Sequence, residues 1–155
     1  MSRSSSQGSS GRDGRQKRVI GLICQWCTSG AAENLGGGRT PELPVNVQLF
    51  RLPCTGNVDP VYLLTTLLDG ADAVFVSGCH PGDCHYVEGN IHARRRVAFL
   101  RALLDRFGIA RGRLSLSWIA TGEMEKFRHT MWEVKREAEH AEQALSDDFD
   151  TWQMV

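Results

Sequence analysis

Ala73-Val74-Phe75-Val76-Ser77-Gly78-Cys79-His80-Pro81-Gly82-Asp83-Cys84-His85-Tyr86 joins an apolar run to a loop dense in cysteine and histidine. Its first five residues are short, apolar and partly β-branched, which predicts a buried strand, and the Gly-Pro-Gly pattern after them predicts a tight loop. Two cysteines and two histidines therefore stand on a turn at the carboxyl end of a strand, the edge at which open α/β sheets bind ligands. Glycine lets the backbone fold close around a bound group, and proline stiffens the turn without needing a donor. Cysteine is among the most buried residue types, so two of them on an exposed loop point to chemistry rather than packing.

Working outward, Arg18-Val19-Ile20-Gly21-Leu22-Ile23-Cys24 is apolar almost throughout, as expected of a strand covered on both faces. It runs into Cys24-Gln25-Trp26-Cys27, a Cys-x-x-Cys, after which Thr28 or Ser29 is expected to cap a short helix over 30–35 that ends at Gly36-Gly37-Gly38. Residues 40–44 read as a linker and 45–52 as a second strand, with Cys54 just past its end. Asp59-Pro60 has the form of a helix cap followed by proline in the first turn, Val61, Leu64 and Leu68 are expected to form the buried face, and Gly70 closes the helix.

Beyond the central loop, residues 91–107 predict a helix with Val97, Leu100, Leu104 and Phe107 as its core stripe and Gly108 as its stop. Arg94, Arg95 and Arg96 form a basic turn near its start, a placement that opposes the helix dipole and reads either as a solvated face or as a contact for an acidic partner. A fourth strand is expected over 113–119, more alternating than the others and so nearer an edge. The longest helix follows Thr121-Gly122-Glu123, with Met124, Phe127, Met131, Val134, Ala138, Ala141 and Leu145 stepping by three and four along its core face. Strand and helix thus alternate four times, which predicts an α/β fold: a small flavodoxin-like parallel sheet of about four strands with helices on both faces.

Length and composition frame this reading. A chain of 155 residues is one domain with one sizeable core. Residues 1–17 are mostly serine, glycine and arginine with no apolar side chain after Met1, a composition that predicts a disordered tail. The folded, cysteine-bearing domain is then expected over 18–145, and 146–155 form an acidic and aromatic tail. A formal net charge of zero argues against a nucleic-acid binder, and no apolar run is long enough to span a bilayer. Without an apolar signal region and with five cysteines, an odd number, the chain reads as cytoplasmic, with clustered thiols serving metal or redox chemistry rather than a disulfide framework.

Cys24 and Cys27 follow the first strand, Cys54 the second, and Cys79 and Cys84 the third. In a parallel sheet these ends share one edge, and a first strand lying between the other two makes all five sulfurs converge at a switch point. Four thiolates hold either a structural zinc or an iron–sulfur cluster, and Cys-x-x-Cys also serves thiol–disulfide exchange. Of the five, Cys79 and Cys84 rank first because they share one stiff loop, and Cys27 and Cys54 rank next. Cys24 ranks last because it still belongs to its strand. His80 and His85 are expected to act as hydrogen-bonding residues, with Asp83 a candidate partner, and Trp26 and Tyr86 to shield the site. No catalytic dyad and no nucleophile elbow is legible.

Gly78-Cys79-His80-Pro81-Gly82-Asp83-Cys84-His85-Tyr86, then Gly89-Asn90 and Ala93-Arg94-Arg95-Arg96, resembles the iron–sulfur delta subunit family of methyl-viologen-reducing (F420-non-reducing) hydrogenase. Cys24-x-Trp26-Cys27, Cys54-Thr55-Gly56-x-Val58-Asp59-Pro60 and Gly70-Ala71-Asp72 match the same family, and the likeness spans residues 19–144. The resemblance implies a 2Fe-2S electron-transfer protein, not itself a catalyst, and the ranking of the cysteines makes Cys27, Cys54, Cys79 and Cys84 its expected metal ligands, with Cys24 beside them. It implies partners on two sides: a nickel–iron hydrogenase or a formate dehydrogenase, and the flavin-containing A-type subunit of heterodisulfide reductase. One departure stands out: after Cys27 the family often has aromatic-Ala-Gly-Ala-Asp, where this chain has Thr28-Ser29-Gly30-Ala31-Ala32-Glu33. The alternative is a zinc-stabilised or thiol-redox module that binds a partner without carrying electrons.

Overall fold

A computed structural model describes residues 17–36, 43, 46–109 and 111–152, with side chains placed up to residue 140 apart from 110 and 111. The tail expected over 1–17 lies outside these residues except for Lys17, and so does the linker expected over 40–44 apart from Leu43. The described elements are β1 (Arg18–Cys24), α1 (Thr28–Leu35), β2 (Asn46–Leu52), α2 (Pro60–Leu68), β3 (Ala73–Gly78), α3 (Gly89–Arg106), β4 (Leu114–Trp118) and α4 (Met124–Trp152), with 3-10 turns at Thr55–Asn57 and Arg111–Arg113. The four strands pair in parallel in the order β2-β1-β3-β4. The expected α/β sheet is therefore the one observed, and the first strand lies between the second and third.

Two apolar layers hold the sheet. On one face Val19, Ile23, Ala73 and Phe75 meet α1 and α4 through Ala31, Phe127, Met131, Val134 and Ala138. On the other, Ile20, Leu22, Val74 and Val76 meet α2 and α3 through Leu63, Leu67, Val97, Leu100 and Leu104. Successive strand residues point to opposite faces, so a strand covered by helices on both sides is shielded from water along its whole length. All six residues of β3 are buried for this reason. Phe75 and Phe127 are fully buried with ring centroids 6.4 Å apart in a tilted pair, an arrangement that adds to the gain from burial.

Register brings the functional loops to one level. Cys24 stands opposite Leu52 and Ile23 opposite Ser77, while Gly78 pairs with Trp118. The strand ends that lead into Cys24, Cys54 and Cys79 are thus flush at the carboxyl edge. At the opposite edge Arg113 donates from its guanidinium to the carbonyls of Asp72, Leu67 and Ala71, tying the α2–β3 connection to the start of β4.

The structure corrects several local expectations. Helix α1 begins at Thr28, with Cys27 before it and no side-chain cap, because the Thr28 hydroxyl is turned inward instead. In α2 the buried residues are Leu63 and Leu67, while Val61 and Leu68 are 66% exposed. The helix is apolar all round, so two stripes one residue apart compete. Asp59, whose carboxylate accepts from Val61 N–H, caps the helix start, and docking against the sheet selects which stripe is buried. Phe107 is 71% exposed at the end of α3, where Gly108 (φ +69) turns the chain away. Met124 lies exposed before the buried stripe of α4 starts at Phe127, and the side chains of Ala141 and Leu145 lie outside the described residues. The α4 backbone runs through Trp152 and so takes in residues 146–152 of the expected tail.

Candidate metal centre

The three strand-end loops bring the five cysteines together as a trio and a pair. Cys24, the last residue of β1, has its sulfur 3.6 Å from that of Cys79. With Cys27 these make a buried trio whose sulfurs all lie within 4.8 Å of one another. Cys54 and Cys84 form the pair, their sulfurs 4.0 Å apart. Cys24, ranked last from sequence because it ends a strand, does end that strand, and its sulfur still points into the trio.

Each loop is held by the backbone around it. Asn90, in the first turn of α3, donates through its side-chain amide to the carbonyls of Cys79 (3.1 Å) and His80 (2.7 Å), pinning one end of the central loop. Gly82 takes a φ of +95, open to glycine but unfavourable for other residues. The turn Thr55–Asn57 follows Cys54, whose sulfur accepts from the Gly56 N–H at 3.3 Å. Arg96, from α3, donates to the carbonyls of Gly56 and Val58 and so clamps that turn from behind. The basic triplet thereby divides: Arg94 and Arg95 are exposed, whereas Arg96 is half-buried and structural. Gly56 packs directly on Gly89, and a Cβ on Gly89 would lie 2.1 Å from the Cys54 sulfur and 3.3 Å from that of Cys84. Only a glycine allows the pair to form against the start of α3.

Electrostatics follows from this crowding. The Cys24 thiol is drawn down to about 6, chiefly because Cys27 hydrogen-bonds to it, with burial opposing. Cys27 is pushed up for the same reason, its proton held by Cys24, and burial adds to the effect. Burial also pushes up Cys54 and Cys79. At Cys84 burial is outweighed by the backbone N–H groups of Asn90, Tyr86 and Gly89, and the thiol is lowered. Cys54 also senses the charge of Cys24, which links the pair electrostatically to the trio. Such a group resists full ionisation unless cationic metal compensates it, and bound metal deprotonates its thiols outright. The donor set is sulfur alone, the softest set a protein offers and the one suited to iron–sulfur clusters or zinc.

The histidines stand outside this set. His80 pairs with Glu123 at 2.7 Å rather than with the expected Asp83, and Glu123 also accepts from the Ala120 N–H at 2.7 Å. The N–H of Ala120 first, then His80, hold the Glu123 carboxyl down to about 2. The ring of His85 stacks on Trp26 with centroids 3.9 Å apart and meets Tyr86 edge-on at 5.3 Å. Trp26 and Tyr86 are about half exposed, so they form a rim at the site's edge rather than a lid over it. From sequence Thr28 is expected as a helix cap, and no role is assigned to Gly89, Asn90 or Ser77. Gly89 and Asn90 stood in the quoted motif, but nothing local in the sequence signals their roles.

Residues 19–141 match the family described as methyl-viologen-reducing hydrogenase, delta subunit. The chain is 40% identical over 119 residues to the F420-non-reducing hydrogenase vhc iron-sulfur subunit of Methanococcus voltae, covering 77% of this chain and 82% of that one. It is 42% identical over 118 residues to the F420-non-reducing hydrogenase iron-sulfur subunit of Archaeoglobus profundus, covering 76% and 85%. It is also 34% identical over 121 residues to the A-type subunit of the ferredoxin:CoB-CoM heterodisulfide reductase of Methanosarcina mazei, where the match covers 78% of this chain but 15% of that much longer one.

Proposed function

Because this chain belongs to the methyl-viologen-reducing hydrogenase delta-subunit family, we propose that it is a cytoplasmic 2Fe-2S carrier. In this reading it passes electrons from a hydrogenase or formate dehydrogenase to a flavoprotein like the A-type subunit of heterodisulfide reductase. The observation that carries the reading is the grouping of five sulfurs into a trio and a pair at one sheet edge. A 2Fe-2S cluster takes four thiolates, two on each iron, and would supply one-electron chemistry when bound. The pair Cys54 and Cys84 would serve one side, and Cys27 and Cys79 the other. Cys24, the least exposed of the five cysteine residues, would remain beside them.

The other residues supply support and access. Asn90 and Arg96 hold the ligand loops in place from the rigid body of α3. The cysteine loops sit at the sheet edge with Trp26 and Tyr86 half exposed beside them, which suits approach by a partner's cofactor. Arg94 and Arg95, exposed in the first turns of α3, would steer an acidic partner, an effect that salt screens. The relatives named as hydrogenase subunits support one partner. The heterodisulfide reductase chain that contains a matching segment supports the other, since a domain fused in one protein commonly docks as a separate subunit in another.

Anaerobic reconstitution tests the cofactor. About two irons and two sulfides per chain, with a rhombic paramagnetic signal on reduction, are expected of a 2Fe-2S site. A colourless protein carrying a single zinc would refute the reading in favour of a zinc-stabilised interaction module. Cys→Ser replacement tests the ligands: Cys27, Cys54, Cys79 and Cys84 variants lose the cluster and Cys24→Ser keeps it.

A further inference from the structure

Two hydroxyls lie behind Cys27 that neither the fold nor the carrier reading uses. Thr28, at the start of α1, and Ser77, in β3, are both fully buried. Their oxygens are 2.9 Å apart. Thr28 Oγ1 also lies 3.4 Å from the carbonyl oxygen of Ile119 and 3.7 Å from the Cys27 sulfur. A buried hydroxyl destabilises the fold unless it is hydrogen-bonded, and two polar side chains between apolar layers are an unfavourable way to fill that volume. Valine and alanine would fill nearly the same space without the penalty.

The protons of these two groups can be traced. If Thr28 donated to Ser77, the Ser77 proton would be left in the core without an acceptor, since Thr28 is the partner within its reach. Satisfying both groups requires the other polarity: Ser77 donates to Thr28, and Thr28 donates onward. Two acceptors then face the Thr28 proton, the neutral carbonyl of Ile119 and the sulfur of Cys27. Sulfur is large, and 3.7 Å is within reach of a hydroxyl donor. An ionised ligand sulfur is also the stronger acceptor, because hydrogen bonds to charged groups are about twice as strong as neutral ones. A hydroxyl that accepts one hydrogen bond becomes a better donor of the next.

We infer that Thr28, polarised by Ser77, donates a hydrogen bond to the Cys27 sulfur and thereby raises the reduction potential of the metal site. This rests on the reading of Cys27 as a ligand. When the site accepts one electron from a donor subunit, negative charge on the ligand sulfurs increases; the electron then leaves to the acceptor, and no bond to sulfur is made or broken. Thr28 keeps its proton in both oxidation states. Its dipole favours the more negative state, so the reduced form gains more from the hydrogen bond than the oxidised form.

The test is redox titration of the anaerobically reconstituted full chain, followed by its paramagnetic signal, in the wild type and in Thr28→Val, Thr28→Ser and Ser77→Ala. The result expected is a shift to more negative potential in Thr28→Val at unchanged iron and sulfide content. Thr28→Ser, which restores the hydroxyl, stays near the wild type, and Ser77→Ala shifts in the same direction by less. In deuterated buffer the reduced wild type shows a coupled exchangeable deuteron by electron–nuclear double resonance that Thr28→Val lacks. An iron-loaded Thr28→Val with the wild-type potential, or a Thr28→Ser that shifts as far as Thr28→Val, overturns the inference alone. Should Thr28→Val take up no iron, Ser77→Ala decides, and a potential equal to the wild type overturns it. A wild type that binds no iron overturns both this inference and the carrier reading.

Discussion

Replacing Gly89 by alanine probes the site through geometry alone. The added Cβ would lie 2.1 Å from the Cys54 sulfur, where real Cβ contacts essentially never fall below 3.0 Å. The sulfur or the start of α3 must therefore retreat by about 1 Å or more, since non-bonded atoms settle about 3.5–4.0 Å apart. Retreat of Cys54 breaks its approach to Cys84, now 4.0 Å, and pulls on the turn that Arg96 clamps. Overpacking of this kind costs about 1–3 kcal/mol. Alanine is the better residue in a helix interior by about 1 kcal/mol, and Gly89 opens α3, so at most that much is offset and a net loss of about 0–2 kcal/mol or slightly more remains. The damage should fall on the site. Gly89→Ala is expected to fold with wild-type helix content by circular dichroism yet retain little iron and sulfide after anaerobic reconstitution. Gly122→Ala, where no atom lies within 4 Å of the new Cβ, serves as the control and should load normally. A Gly89→Ala protein that binds the wild-type amount of iron with an unchanged paramagnetic spectrum would refute the idea that Gly89 is there to admit the Cys54–Cys84 pair.

Arg96→Gln removes the clamp on two carbonyls and should lower iron retention, whereas Arg94→Gln and Arg95→Gln leave it intact and slow electron transfer only at low salt; equal iron loss in all three would show that the split within the triplet is wrong. Glu123, held down to about 2 by the Ala120 N–H and by His80, contributes stability that is fully present above its unfolded value near 4.5 and is lost as pH falls from there toward 2. Denaturation of Glu123→Gln should therefore show a deficit against the wild type at about pH 7 that closes as pH falls from about 5 to about 2, and a deficit constant with pH would contradict the assignment. Phe127→Ala empties the centre of the α4 face of the core and should cost about 3–5 kcal/mol in denaturant unfolding, with a loss below about 1 kcal/mol arguing against that packing.

The alternation of apolar strands with amphipathic helices was enough to settle the sheet, its parallel sense and its four strands. Burial on both faces leaves the stretches Val19 to Cys24 of β1 and Ala73 to Val76 of β3 without charged or hydroxyl side chains, and that is visible residue by residue. The cysteines were equally legible, since each follows a strand, and strand ends of a parallel sheet share an edge. What the chain could not reveal locally was rotation and partner choice. The buried stripe of α2 is Leu63 and Leu67 rather than Val61 and Leu68, because docking against the sheet selects one of two equally apolar faces. Arg96 differs from Arg95 only by about 100° around α3, yet that turn carries it from solvent to the carbonyls behind Cys54. The division of five sulfurs into a trio and a pair, the need for glycine at position 89 and the Thr28–Ser77 contact all join residues far apart in the chain. Distances of that kind are products of packing, and packing exists only once the whole sheet has closed.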